Sequence, residues 1–118
     1  MRLFSSILLT SLLLAPVASA QSIGGAYNVS GTNLDGSSYR GTAYIELLSD
    51  VTCAIEWTTD GVTSSGICMR SDNAFAAGYV LEGDVGMVIY KVRSDGRLDG
   101  TWTIAGEEGV GTEMLTPR

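Results

Sequence analysis

Residues 53–68 read CAIEWTTDGVTSSGIC, two strand-like segments on either side of an Asp-Gly pair. Asp-Gly between segments of this composition is the strongest short-range signal for a β-hairpin. If Asp60 and Gly61 form the turn, Cys53 lies directly opposite Cys68, at a separation that a disulfide tolerates. A four-residue turn centred on the same pair would give the same alignment. The stretch therefore predicts an antiparallel hairpin closed by a Cys53–Cys68 disulfide.

The chain on either side of this hairpin consists of short segments rich in Val, Ile, Tyr, Thr and Trp, bounded by turn residues. No long helical pattern interrupts these segments. This pattern is typical of an all-β, antiparallel, up-and-down meander. We predict eight strands: Ala26–Thr32, Tyr39–Leu48, Val51–Thr58, Val62–Arg70, Ala74–Leu81, Val85–Val92, Leu98–Ile104 and Val110–Leu115.

Three further turns predict how the later strands are aligned. Ser94-Asp95-Gly96, with glycine in the left-handed position, aligns three pairs: Val88 with Trp102, Tyr90 with Gly100, and Lys91 with Asp99. A turn at Gly83-Asp84 places Phe75, Ala77, Tyr79 and Leu81 on the face of Val88. A three-residue loop at Glu107-Glu108-Gly109 places Trp102 opposite Met114. These alignments put the large apolar side chains on one face, which indicates a single core.

Mid-strand glycines indicate how the sheet is shaped. Gly41, Gly66 and Gly100 each follow an Asp-Gly pair by four or five residues. Glycine inside a strand costs stability, so its repeated use suggests a strongly coiled sheet. Eight antiparallel strands can close around a packed interior or one small ligand. We therefore predict a small closed barrel, with a two-sheet sandwich as the alternative.

The first 20 residues have the features of a secretory signal peptide. Arg2 precedes the apolar run 3–14, and Ala18-Ser19-Ala20 has the small residues that a signal peptidase requires. This run is shorter than the roughly 20 apolar residues of a spanning helix, so we expect no membrane span. Residues 21–118 are then one domain, periplasmic or secreted, in an oxidising compartment. A redox-active cysteine pair is the alternative, but the Cys-x-x-Cys spacing is missing.

The charge and composition exclude several functions. The chain has a net charge of −6 and no histidine, and loss of Arg2 with the leader would make the charge −7. Such a protein repels nucleic acid and anionic membranes and lacks the commonest general base. Residues 95–99 lack the ligand pattern of a calcium loop. Paired carboxylates can hydrolyse glycosides, but a solvated face better explains the candidates, Glu46, Glu56, Glu107, Glu108 and Glu113. We predict no catalytic residue, cofactor or metal, and no enzymatic activity.

Two groups of apolar residues are candidate binding surfaces. Five aromatic side chains are predicted to point inward, either as plain core or as the lining of a pocket for a small apolar ligand: Trp57, Phe75, Tyr79, Tyr90 and Trp102. Three apolar residues are predicted to lie together on the outer face: Val80, Met87 and Ile89. An exposed apolar strip marks a partner surface more often than single apolar residues do. The outer face therefore indicates a protein partner or self-association.

Most of the chain after the leader resembles a family of small exported proteins, mostly uncharacterised and common in alphaproteobacteria. The resemblance lies in five segments: Tyr27–Gly36, Thr63–Met69, Val88–Val92, Leu98–Thr103 and Gly109–Glu113. Members often carry the automatic label fibronectin-binding protein, which implies an adhesion role and an extracellular-matrix or envelope partner. The resemblance implies no catalytic residue. We therefore expect an exported barrel that binds a macromolecular partner, or alternatively a small-ligand carrier of lipocalin- or avidin-like shape.

Overall fold

The computed structural model describes residues 22–118, so the predicted signal peptide lies outside the described residues. The described chain is a closed barrel of eight antiparallel strands in sequence order. The strands are β1 (Gly25–Thr32), β2 (Ser38–Leu47), β3 (Thr52–Thr59), β4 (Val62–Ser71), β5 (Ala74–Leu81), β6 (Asp84–Val92), β7 (Leu98–Ile104) and β8 (Gly111–Pro117). Closure comes from the pairing of β1 with β8, in which Val29 lies opposite Leu115. The predicted barrel is confirmed, and the sandwich alternative is wrong.

The hairpin of β3 and β4 forms as predicted. Cys53 lies opposite Cys68, and the two are joined by a disulfide across a Cα separation of 4.9 Å. Asp60 and Gly61 form a two-residue turn in which both have positive φ, 48° and 79°. Both central residues of a type I′ turn need this conformation, which aspartate tolerates better than most residues. The two-residue turn therefore forms, and the four-residue alternative does not.

The alignment predicted for β6 and β7 is also confirmed. Val88 lies opposite Trp102, Tyr90 opposite Gly100 and Lys91 opposite Asp99. The ion pair of Asp99 is formed with Arg93, however, at 2.6 Å between Nη2 and Oδ2. Arg93 is two residues beyond Lys91 on the same face, and its longer side chain reaches back across the sheet.

The turn between β5 and β6 differs from the prediction. Glu82 and Gly83 form it, both with positive φ, so Leu81 pairs with Asp84. The predicted turn at Gly83-Asp84 is wrong: the turn lies one residue earlier, which shifts the alignment of β5 with β6 by two residues. Because side chains alternate between faces, a two-residue difference leaves every side chain on its predicted face. Phe75 and Tyr79 accordingly point inward and are buried.

The alignment predicted for β7 and β8 is wrong in a more consequential way. Trp102 lies opposite Gly111 rather than Met114, because residues 105–110 form a longer loop. An alignment that differs by three residues reverses the two faces of the strand. Glu113 therefore points into the barrel and is buried, whereas Met114 lies half-buried on the other face. The prediction that Glu113 is solvated is wrong.

The two ends of the barrel differ. We call the end with the β1–β2, β3–β4, β5–β6 and β7–β8 connections the open end, and the opposite end the closed end. Large apolar side chains with almost no exposure fill the closed half: Ile45, Ile55, Phe75, Leu98 and Leu115. The disulfide lies in this half as well, beside Ala77 on β5. The packed core is therefore concentrated away from the open end.

Gly66 allows two strands to approach closely, as the mid-strand glycine pattern predicts. A Cβ atom at Gly66 would collide with the carbonyl oxygen of Gly78 on β5. A Cβ atom at Gly78 itself would meet nothing within 4 Å. Gly66 thus lets the sheet coil tightly here, while Gly78 has room for a side chain.

We expect Gly66→Ala to destabilise the barrel by about 1 to 3 kcal/mol, the usual cost of forcing an extra methyl group into a filled space. Gly78→Ala, its neighbour on the next strand, should be neutral or slightly stabilising, since alanine restricts the unfolded chain. Urea denaturation of both variants measures the difference. Equal stability of the two variants would contradict the close approach at Gly66.

Candidate functional site

A cavity of about 210 Å³ enters the barrel from the open end. Four aromatic rings line it: Tyr39, Trp57, Tyr79 and Trp102. Aliphatic side chains of Val62, Leu81 and Val88 add to its apolar wall, and Asn33, Thr59 and Ser64 contribute polar groups. Cavities that hold drug-sized ligands measure about 300 to 1,000 Å³, whereas about 150 Å³ suffices for benzene. The cavity therefore has room for one ring with a short substituent.

Glycines opposite the rings help to shape the cavity. Tyr39 lies opposite Gly31, Tyr79 opposite Gly86, and Trp102 opposite Gly111. At each glycine a Cβ atom would collide with the facing ring. The rings therefore lie along the barrel wall instead of crossing the interior, which leaves space in the centre.

Hydrogen bonds and ring contacts hold these rings in place. Tyr79 donates its hydroxyl proton to the carbonyl oxygen of Thr103 at 2.9 Å. Tyr39 and Trp102 meet edge to face with centroids 6.2 Å apart, and Trp57 and Tyr79 do so at 5.3 Å. Such contacts reduce the rotamer freedom that a ligand would otherwise have to restrict on binding. These four rings, which we call the aromatic wall, are therefore held in place before a ligand binds.

The buried carboxylate of Glu113 also lines the cavity, and its side chain accepts three hydrogen bonds. The Tyr39 hydroxyl donates to Oε1 at 2.8 Å, and the Trp57 indole N–H donates to Oε2 at 3.1 Å. The Tyr90 hydroxyl donates to Oε2 as well. A carboxylate has about four lone-pair positions, so one acceptor position stays open.

Burial controls the protonation of this group. Removal from water raises the pKa of Glu113 above its ordinary value of 4.5, and hydrogen bonds from Tyr90, Tyr39 and Trp57 oppose the rise. Burial, together with the Glu113 charge, raises the pKa of Tyr79 to about 12 and shifts those of Tyr39 and Tyr90 upward too. The three phenols are therefore neutral at pH 7. Glu113 is therefore the buried group at the cavity that takes up a proton more readily than an exposed glutamate does.

We expect Glu113 to make the barrel less stable as the pH rises. Above pH 4.5 the unfolded chain ionises this residue while the folded barrel retains the proton, so unfolding becomes easier until the raised pKa is passed. The loss is about 1.4 kcal/mol for each pH unit between the two pKa values. Glu113→Gln lacks this group, so the stability of the wild type relative to the variant should fall as the pH rises above 4.5, until the raised pKa is passed.

Urea unfolding of both proteins across this range measures the effect. Hydrogen bonds from Ser37 and Arg97 hold the pKa values of Asp35 and Asp95 below their ordinary range, which gives the opposite slope. Both aspartates are present in both proteins, so their contribution cancels in the difference. A difference that stays constant or grows with pH would contradict the assignment.

Solved structures with the same architecture are designed or natural β-barrels. A redesigned β-barrel is similar with a TM-score of 0.72 at 16% identity, over 81% of this chain and 91% of that chain. The redesigned barrel mFAP1, solved bound to DFHBI, gives 0.68 at 19% identity, over 80% and 94% of the two chains. A mutant of the fluorescent protein UnaG gives 0.53 at 10% identity, over 80% and 95%. The chain shares the fold of these barrels. No protein-family model matches the sequence, and the comparison with curated proteins found no match.

The five predicted interior aromatic residues all point inward but divide into two groups. Trp57, Tyr79 and Trp102 line the cavity. Phe75 and Tyr90 lie outside its lining, stacked with centroids 5.3 Å apart and at most 1% exposed. Plain core and pocket lining, the two alternatives from sequence, thus each describe part of the set. Tyr90 still reaches the site through its hydrogen bond to Glu113.

The outer apolar face is larger than predicted. Val80, Met87 and Ile89 are 54%, 56% and 58% exposed, as expected for outward side chains. Three more exposed residues extend the strip across β4 to β6: Ile67, Met69 and Val85. Ile67 lies opposite Gly78, and Met69 lies opposite Ala76, so the strip is continuous across these strands. We call these six exposed residues the outer apolar face.

The other carboxylates weighed from sequence lie where predicted. Glu46, Glu56, Glu107 and Glu108 are exposed, and Glu113 is the exception. Within residues 22–118, no cluster of three His, Cys, Asp or Glu side chains could hold a metal ion. The same part of the chain contains no helix long and apolar enough to cross a membrane.

Proposed function

We propose that this protein is an exported, non-enzymatic carrier that binds one small ring-containing ligand in the cavity at the open end. The observation that carries the proposal is an aromatic-lined cavity with the buried carboxylate of Glu113 at its inner surface. Pockets of this kind, mostly apolar with a few polar groups at fixed positions, are typical of small-molecule sites. The likeness to other barrels supports the fold alone. The disulfide supports export, because such bonds persist in oxidising compartments.

Tryptophan fluorescence offers a direct test of ligand binding. The chain has two tryptophans, Trp57 and Trp102, and both line the cavity. The intrinsic tryptophan signal therefore comes from the site itself. We expect saturable changes when single-ring compounds are titrated into the purified protein.

A matched pair of variants locates the binding. Ser64 lines the cavity, whereas Ser65 is exposed on the outer side of β4. Ser64→Leu should fill part of the cavity and weaken binding at least tenfold, a cost of about 1.4 kcal/mol. Ser65→Leu should bind as the wild type does. Equal affinity of the two variants, or no saturable binding to the wild type, would overturn the proposal.

A protein partner at the outer apolar face is the second candidate function. The observation in its favour is the group of six exposed apolar residues on three adjacent strands, since such a patch marks partner surfaces. We propose an envelope or extracellular-matrix protein as the partner, and the adhesion role that the family label implies belongs to this proposal. A partner retained by the wild type and by Ser64→Leu but lost with Ile89→Glu would support it. A dimer of the purified protein that Ile89→Glu dissociates would instead assign the face to a second copy.

A further inference from the structure

The charged residues that line the cavity are all acidic. Three of the residues that line it are acidic: Glu113 inside, and Asp60 and Glu82 in the turns at the open end. No lysine or arginine is among the described residues that line the cavity. The chain as a whole has a net charge of −6. A site with one sign of charge in a concave, low-dielectric surface attracts the opposite sign and repels the same sign. Anionic ligands are therefore disfavoured here.

The hydrogen bonds of Glu113 leave a defined opening for a ligand donor. Oε2 accepts from both Trp57 and Tyr90, so its two lone pairs are in use. Oε1 accepts from Tyr39 alone, which leaves one lone pair on this atom. An ionised carboxylate can only accept, so the matching ligand group is an N–H or O–H donor. A charged N–H donor gives the shorter and stronger bond.

The aromatic wall favours the same charge. Tyr39, Trp57, Tyr79 and Trp102 surround the space next to Glu113. The faces of such rings carry negative electrostatic potential and attract an ammonium group within about 6 Å of the ring centre. The same rings pack against an apolar ring of the ligand. One site thus combines a carboxylate acceptor, cation-attracting rings and apolar contact.

We propose that the ligand is a small ring-bearing ammonium ion whose N–H group donates to Oε1 of Glu113 while its ring packs against the aromatic wall. This inference rests on the proposed ligand-binding function and specifies the ligand class. The cavity of about 210 Å³ limits the ligand to one ring with a short chain, of the size of a phenylethylamine.

Acid should release such a ligand. The ammonium ion needs Glu113 ionised, and burial raises the pKa of this residue. The titratable groups around it are the phenols of Tyr39 on β2, Tyr79 on β5 and Tyr90 on β6, and the carboxylates of Asp60 and Glu82 at the open end. The phenols stay neutral because their pKa values are raised. Affinity for the ammonium ion should therefore fall as Glu113 takes up a proton.

The test compares three probes of similar shape and different charge: 2-phenylethylamine, 2-phenylethanol and 3-phenylpropanoate. At pH 8 we expect the wild type to bind the amine about tenfold or more tighter than the alcohol, and the propanoate most weakly, as for a hydrogen bond to a charged group. In Glu113→Gln the preference for the amine should fall below about threefold. Glu56→Gln removes an exposed carboxylate on β3 and should behave as the wild type. Isothermal titration calorimetry measures all affinities.

Glu113→Gln should remain folded, because the amide oxygen can accept from Trp57 and Tyr90. Its NH₂ group can donate to the Tyr39 hydroxyl, which can turn to the Thr112 carbonyl oxygen, now 3.2 Å away. If the variant nevertheless unfolds, a titration of the wild type from pH 8 towards lower pH replaces it, with the amine preference expected to shrink as Glu113 takes up a proton. Equal binding of amine and alcohol at pH 8, lost in Ser64→Leu, would overturn this inference and leave the proposed function standing. Binding of none of the three probes would overturn the inference together with the single-ring carrier proposal.

Discussion

Val88→Glu is expected to destabilise the barrel severely, whereas Ile89→Glu, one residue further along β6, should leave its stability nearly unchanged. Val88 is 2% exposed and lies opposite Trp102, so a glutamate there would bring a charge into the interior. Glu113 lines the same cavity as Val88, and its carboxylate would repel the new charge. We expect a loss on the order of 4 kcal/mol, a large share of the roughly 5 to 15 kcal/mol that stabilise such a domain.

Ile89 is 58% exposed on the opposite side of the same strand. A glutamate there stays in water, so the change in stability should be within about 0.5 kcal/mol. Circular dichroism and thermal melting of the two variants measure the contrast. If Ile89→Glu destabilises as severely as Val88→Glu, a second layer of protein covers the outer apolar face in solution.

Replacing both Cys53 and Cys68 with alanine should lower the free energy of unfolding by about 2 to 4 kcal/mol. The bond closes a segment with a sequence separation of 15 residues, and cross-linking a loop of that size restricts the unfolded chain by about 3 kcal/mol. Both cysteines are buried in the closed half, whereas the cavity opens at the other end. The strand order and ligand affinity of the folded variant should therefore be unchanged.

Mass spectrometry and urea unfolding test the role of the disulfide together. The protein from an oxidising compartment should have a mass two hydrogens below that of the reduced chain, with no free thiol. Two free thiols would contradict the predicted disulfide. If the wild type is linked but the double alanine variant has the same melting temperature, the bond constrains the chain little.

Turn chemistry explains why most of the fold could be predicted from sequence. Asp60-Gly61 and Ser94-Asp95-Gly96 each admit few turn geometries, so the strands they join could be aligned to the residue. At the β5–β6 turn the prediction chose the wrong pair, Gly83-Asp84 instead of Glu82-Gly83. The set of inward-pointing residues was still predicted correctly, because side chains alternate with a period of two and the alignment differed by two residues.

The sequence predicted three of the aromatic residues that line the site, but Glu113 was missed because of one loop. Residues 105–110 contain Gly106 and Gly109, both with positive φ, so several loop lengths were compatible with the sequence. Pairing Trp102 with the apolar Met114 turned Glu113 outward. The correct signal was already present in the predicted pair of Tyr90 and Gly100, an aromatic ring opposite a glycine. The same rule applied to Trp102 selects Gly111 and turns Glu113 inward.

The existence of the cavity could not be deduced from sequence for a different reason. The alternation of side chains along a strand shows which rings point inward, but it is the same for a ring packed in the core and for a ring that borders a cavity. Phe75 and Tyr79 were indistinguishable on that ground, yet Phe75 is fully buried and Tyr79 lines the cavity. The difference depends on how rings from several strands share the interior volume, which is a property of the closed barrel.

The most direct test of ligand binding inside the barrel is a ¹H–¹⁵N correlation spectrum of the protein titrated with 2-phenylethylamine. The indole N–H of Trp57 donates to Glu113, and that of Trp102 donates to the Thr112 carbonyl oxygen, so both signals report on the cavity. We predict that both indole signals shift saturably, together with backbone amides around the open end, while those of Leu98 and Cys53 in the closed half stay in place. Unchanged indole signals, or shifts confined to Val80, Met87 and Ile89 on the outer apolar face, would contradict ligand binding inside the barrel.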